Sequence, residues 1–224
     1  EHRFDIKQEC VAKSAFWVTK KRYGQWIIND GGLTCDKLDV KGLDIVRSSF
    51  PPAMRELMTG VLKDILGDVN KDIIDEKILK FKKEMKTTDI QNIALPTGVR
   101  KLSKFKESTP KDAVFTNMRK ATPVHVKAAW IYNDLLRYWK LNKFEQIKSS
   151  EKIKWIYLKP NTMNIKQIAF KGYDDPPKIM EFIEQNIDYD KLFTRALEKK
   201  IRMFYEALRW DMPVDKINTL ERFF

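Results

Sequence analysis

With 224 residues, of which 43% are hydrophobic, the chain is long enough for one large domain or two small ones, each with its own core. The formal net charge of +12 and a pI near 9.5 favour an anionic partner: nucleic acid, an anionic membrane surface or an acidic protein. No apolar run approaches the ~20 residues a membrane span needs. The charged start "EHRFDIKQEC" holds no secretory signal core, and two cysteines without a spacing pattern, Cys10 and Cys35, fit a reducing cytoplasm better than a disulfide framework.

Residues 3–28 read as two extended segments, "FDIKQECVA" and "AFWVTKKRYGQWIIN", the second aromatic and β-branched as strands prefer. "NDGG" at 29–32 signals a turn, and "LTCDKLDVKGLDIV" a further strand with Leu33, Leu38, Val40 and Leu43. Residues 1–45 are therefore expected to form a small antiparallel sheet.

The pattern then becomes helical. Ser48 or Ser49 is a candidate cap, and Pro51 and Pro52 suit a first turn. Met54, Leu57, Met58, Val61, Leu62, Ile65 and Leu66 recur at helical spacing and predict an amphipathic helix that ends at Gly67. A second helix over 70–87 carries Ile74, Ile78, Phe81 and Met85 on one stripe. The methionines at 54, 58 and 85 are read as core filler rather than as a cofactor box.

Residues 96–120 break this rhythm. Arg100, Lys101, Lys104, Lys106, Lys111, Arg119 and Lys120 stand there against Glu107 and Asp112, the densest basic block of the chain. One reading is a solvated loop. The other is a phosphate-contacting loop, with Ser103, Ser108, Thr109 and Asn117 as uncharged donors. A helix over about 123–140 follows, then a hairpin from "KIKWIYLKP" and "IKQIAFKG", a short proline-led helix in "DDPPKIMEFIEQN", and a long helix in "DYDKLFTRALEKKIRMFYEALRW". Its apolar face holds Leu192, Ala196, Leu197, Ile201, Phe204 and Leu208. Pro213 stops it. In the tail, Leu220, Phe223 and Phe224 share one face of a single helical turn, as an anchor peptide would, or as a turn folded back on its own core.

Much familiar chemistry is missing. His2 and His125 lie far apart, and no Cys/His cluster has zinc spacing. There is no glycine-rich phosphate loop and no nucleophile elbow. His125 reads as a structural histidine at a helix start. What remains is binding chemistry at "FWVTKKRYGQWII". If 16–28 is one strand, Lys20 and Arg22 point to one face and Lys21 and Tyr23 to the other. A cation beside a tyrosyl hydroxyl offers two donors to a polyanionic backbone, and a lysine reaches the minor-groove acceptor that every base pair presents. The same residues also read as a strand end with snorkelling lysines.

"FWVTKKRY" resembles the KKRY segment of family B DNA polymerases, particularly those of T-even-like bacteriophages. "KQECVA" is similar to the acidic segment that precedes it in these enzymes, "TPVHVKAAWIYN" to the thumb helix, "KIKWIYLKP" to the thumb hairpin, "DYDKLFTRALEKKIRMFYEAL" to the closing helix and "INTLERFF" to a sliding-clamp-binding peptide. The resemblance implies an α+β chain: palm remainder at 1–45, a mostly helical thumb with a β-hairpin at 46–212, and a clamp-binding tail at 213–224. It implies that Lys21 and Tyr23 meet the minor groove and the primer phosphate, that Lys20 and Arg22 support them, and that Arg100, Lys101, Lys104, Lys106, Arg119 and Lys120 lie along the duplex backbone. Glu9 would match an auxiliary carboxylate near the metal site, and Leu220, Phe223 and Phe224 would enter the clamp.

The YGDTDS-type and KxxxNSxYG motifs, which carry metal and nucleotide in this family, are not in the sequence. Two-metal phosphoryl transfer needs such carboxylates. The chain alone is therefore expected to hold no metal and to lack polymerase activity. Mg²⁺ and catalysis would belong to an N-terminal partner part, from a split gene or because this chain, which begins at Glu1, is a trimmed piece. The expected partners are primer–template DNA, that N-terminal part and a sliding clamp, with no membrane, in the cytoplasm of a bacterial host. Rival readings are a stand-alone basic accessory protein that binds DNA without a catalytic role, and a binder of structured RNA.

Overall fold

The computed structural model describes residues 7–214. The fold is α+β and divides into two compact units, residues 7–84 with 199–214, and residues 85–198.

The first unit opens with an antiparallel sheet of three strands in chain order, β1 (Cys10–Thr19), β2 (Arg22–Asp30) and β3 (Leu33–Lys41). The first break falls at Lys20–Lys21, inside what reads from sequence as one strand. The second falls at Gly31–Gly32, whose positive φ angles of 58° and 91° suit glycine. One face of the sheet is covered. Phe16 meets Phe204 edge-on at 5.3 Å. Gly24 lies so close to Leu62 that a Cβ would stand 2.8 Å from its Cδ2.

Leu62 belongs to α1 (Pro52–Leu66), which has Pro52 at its first helical position, as expected. Neither serine caps it. Pro51 occupies the cap and no side chain bonds there. Met54, Leu57, Met58, Val61, Leu62 and Leu66 are buried, so the methionines at 54 and 58 are core residues. Each such side chain contributes about 1.5–3 kcal/mol of burial. Gly67 ends the helix, but the left-handed residue is Asp68, with φ 57°. α2 (Lys71–Glu84) is tied to α1 by the Lys77–Asp64 ion pair. The Tyr205 hydroxyl, on α7 (Lys199–Leu208), donates to Asp75 of α2 at 2.5 Å.

The second unit is built around α4 (Val124–Tyr138), whose residues Ile131 to Leu136 are all buried. A helix covered on every side at its centre must satisfy its polar residues internally. Asn133 does so by donating Nδ2–H to the Ile147 carbonyl at 2.9 Å and accepting the Ile147 N–H at 2.7 Å. α4 packs on a second antiparallel sheet. The expected hairpin, β5 (Lys152–Tyr157) and β6 (Gln167–Phe170), gains a third strand, β4 (Leu95–Gly98), which pairs with β5. A one-turn helix, α3 (Ile90–Ile93), precedes β4 and is capped by Asp89, whose Oδ1 accepts the Gln91 N–H at 2.8 Å. α5 (Pro177–Asn186) starts on its prolines. The long helix expected next is instead α6 (Tyr189–Leu192), a wide π-helical stretch at Phe193–Glu198, and then α7.

Candidate nucleic-acid interface

Thr19 pairs with Arg22, so Lys20 and Lys21 form the two-residue turn between β1 and β2. Strand alternation therefore does not decide where these lysines point, which corrects the expectation of two opposed faces. Between the Trp17–Tyr23 and Thr19–Arg22 pairs the register shifts, leaving Val18 as an extra residue on β1. Such a bulge bends the strand and re-aims the residues beyond it. The turn is also fixed from behind. Gly42, just past β3, has φ +67°, and a Cβ there would lie 2.0 Å from the Lys21 carbonyl oxygen.

Lys20, Lys21 and Arg22 are exposed and Tyr23 is half-buried. Among the described residues, none of the three cations is in an ion pair. Arg22 is nonetheless held, because its Nη1 donates to the Met203 sulfur of α7 at 3.4 Å. Tyr23 lies beside Trp17, ring centroids 6.0 Å apart. The result is a stiff hairpin tip with two free ammonium groups, a fixed guanidinium and an aromatic base. It can donate charge-assisted hydrogen bonds to an anion.

A second cluster forms within the unit 85–198. Arg100, Lys101 and Lys104 surround a short 3₁₀ turn at Leu102–Phe105, with Lys101 left-handed at φ 52°. Lys106 and Met118 form an antiparallel bridge, and the Arg119 N–H donates to the Phe105 carbonyl at 3.1 Å. These contacts bring Lys104 and Lys106 beside Arg119 and Lys120 and close the basic block into a loop. All six candidate cations here are exposed.

The loop is anchored on α4. The Trp130 Nε1–H donates to the Leu102 carbonyl at 3.1 Å, and the Lys106 ammonium lies 5.5 Å from the Trp130 ring centroid. Asp134, with its side chain fully buried, accepts the Thr116 N–H at 2.7 Å and the Thr116 hydroxyl at 2.8 Å, and pairs with Arg137. The Leu102 N–H donates to the Ser149 Oγ at 2.9 Å.

Sequence reasoning missed these supports. Gly42, Trp130 and Asp134 each lie outside the cation pattern. Only Gly42, a glycine directly after a strand, carries a signal that was available.

The other candidates stand apart. Glu9 is exposed ahead of β1, and its backbone carbonyl accepts the Gly31 N–H at 2.9 Å. Among the described residues there is no group of three or more His, Cys, Asp or Glu that could hold a metal ion. His125 is half-buried in the first turn of α4, and burial lowers its pKa below the usual 6.5. Leu220, Phe223 and Phe224 lie outside the described residues. No helix among those residues is long and apolar enough to cross a membrane.

Comparison with known proteins gives these features a common setting. Part of the chain is similar to the DNA polymerase alpha catalytic subunit of Mus musculus, 29% identical over 129 residues. That match takes in 57% of this chain and 8% of the mouse subunit, so the chain spans a small fraction of its relative. The family profile reaches much further. The profile described as DNA polymerase family B matches residues 1–207, from ahead of the first strand to the last turn of α7, and the chain belongs to that family.

Proposed function

We propose that the chain is the palm-remainder and thumb portion of a DNA-directed DNA polymerase of the T-even-like bacteriophage type, working inside an infected bacterial cell. Its task is to hold primer–template duplex through contacts to the backbone and minor groove that do not depend on sequence. The observation that carries this reading is the β1–β2 turn. It presents Lys20 and Lys21 without acidic partners, on a hairpin buttressed by Gly42 and by the Arg22–Met203 contact. The anchored loop that holds Arg100, Lys101, Lys104, Lys106, Arg119 and Lys120 adds a second cationic surface of the same chemistry. Phosphate contacts position a duplex without reading it.

Nucleotide addition and its metal ions are assigned to a separate part of the enzyme. That part is the proposed partner, together with a sliding clamp that would take up Leu220, Phe223 and Phe224.

Titrating the chain with a blunt-ended DNA duplex at several salt concentrations tests the proposal. Affinity should fall steeply with salt, because each neutralised phosphate releases counterions with a slope of about −0.9 per contact. Affinity that is independent of salt, or absent at low salt, would refute it. In enzyme reassembled with its catalytic part, Lys21→Ala and Tyr23→Ala should each lower primer extension while the melting temperature of the chain stays close to wild type. Unchanged extension by both variants would remove the turn from the interface.

A further inference from the structure

Trp17 has no part in the cationic contacts assigned above, yet it is 56% exposed on the same hairpin. Its ring offers a large apolar surface close to the unpaired cations of the turn. Trp17 is the direct cross-strand partner of Tyr23, and Tyr23 in turn pairs with Lys41 on β3. The three residues form a row across the sheet, on the face opposite Gly24 and its neighbour Leu62. Lys41 is already engaged by Asp39 at 3.3 Å. The apolar part of the row is therefore the Trp17–Tyr23 pair, whose rings are inclined by 35°.

We propose that Trp17 is a DNA-binding residue that packs its indole against the sugar edge of the strand whose phosphates meet Lys20 and Lys21. This rests on the reading that the chain holds duplex DNA. Adjacent strands lie about 4.8 Å apart, so a row across three strands is about 10 Å long. A DNA strand advances about 3.4 Å per phosphate along its axis. The row thus matches about three nucleotide steps, and the 6.0 Å between the two rings about two. The deoxyribose edge is the least polar surface between phosphate and base, and an aromatic side chain contributes there without reading sequence. The bulge at Val18 allows this. It lets the turn aim its lysines independently while Trp17 and Tyr23 stay paired.

An apolar contact and a cationic contact differ in salt dependence, which makes the inference testable. Duplex DNA is titrated against the wild-type chain, Trp17→Ala, Trp17→Phe and Lys21→Ala across a salt series. Trp17→Ala should bind about five- to tenfold more weakly with an unchanged slope against log salt, because no counterion is released at an indole. Trp17→Phe should restore affinity to within about twofold. Lys21→Ala should flatten the slope by about one.

If Trp17→Ala binds as tightly as wild type while Lys21→Ala is weakened, the inference falls and the duplex-holding reading stands. A flattened slope in Trp17→Ala would mean that the indole merely supports the cationic turn, and would also overturn it. If the wild-type chain fails to bind duplex, the reading and the inference fall together.

Discussion

Gly42 is the residue on which the placement of the lysine turn depends. Any side chain there meets the Lys21 carbonyl, since a Cβ would lie 2.0 Å away, and the backbone is already left-handed at φ +67°. That carbonyl is part of the backbone, not the end of a flexible side chain that could step aside. Gly42→Ala should therefore displace the turn rather than unfold the sheet, because Gly42 is itself exposed and outside the strands. The expected result is duplex affinity reduced about tenfold, alongside a melting temperature lowered by a few degrees at most, in keeping with about 1–2 kcal/mol of strain. Binding equal to wild type would show that the turn does not depend on this contact. The nearby Gly24 lies in the sheet, where its missing side chain admits Leu62, so a substitution there should cost stability instead.

At the scale of elements, the basic loop depends on a carboxylate that carries none of its charge. Asp134 sits on α4, inside the unit 85–198, and holds Thr116 by two hydrogen bonds while pairing with Arg137. Removing the Asp134 carboxylate leaves the buried Thr116 N–H and hydroxyl without an acceptor, at about 1–3 kcal/mol each, while Arg137, 56% exposed, can turn to water. Asp134→Ala should thus destabilise this unit by that order and loosen the loop from 106 to 118. Asp134→Asn, which keeps an acceptor for Thr116, should cost about 1–3 kcal/mol. Urea denaturation of the two variants checks both values, and equal losses would indicate that charge rather than hydrogen bonding is at stake.

The loop also shows how much could be read from the sequence. Its cations were visible as a block, because charge is a local property of the string. Its anchorage was not, because Thr116 and Asp134 are eighteen residues apart and only the fold makes them neighbours. The same contrast applies to the hairpin. The aromatic and β-branched run from Phe16 to Ile28 announced extended chain, but nothing apolar marks the reversal at Lys20–Lys21. The signal for a tight turn is usually glycine or asparagine, and here two lysines occupy it. α1 was legible almost residue by residue, since its stripe and its leading proline are both local. The π-helical stretch at Phe193–Glu198 was not, as its apolar spacing is compatible with an ordinary helix.

For the whole molecule, the buried titratable groups set a pH window for stability, and each unit contributes to it differently. Burial holds the His125 imidazole below its ordinary pKa, so the folded unit 85–198 binds this proton less readily than the unfolded chain. Above about pH 6.5 both states are neutral at this site and stability is full. As pH falls through that value the unfolded chain protonates first, and stability declines.

On the alkaline side the groups are tyrosines. Tyr205, in the first unit, is raised above the usual tyrosine range by burial first and then by its hydrogen bond to Asp75. Tyr132, in the second, is raised by burial first and then by the charge of Asp175. Both phenols keep their protons in the folded state, so stability is full below about pH 10 and is lost as the unfolded tyrosines ionise above it. The first unit thus has an alkaline limit from Tyr205, and the second has limits on both sides.

Thermal unfolding of wild type, His125→Gln and Tyr205→Phe between about pH 5 and 11 tests this. His125→Gln should flatten the fall in melting temperature between about pH 7 and 5.5 and leave the alkaline limb unchanged. Tyr205→Phe should be less stable at about pH 8, through loss of the bond to Asp75, yet decline less steeply above about pH 10. Parallel curves for all three proteins would show that His125 and Tyr205 do not govern the window.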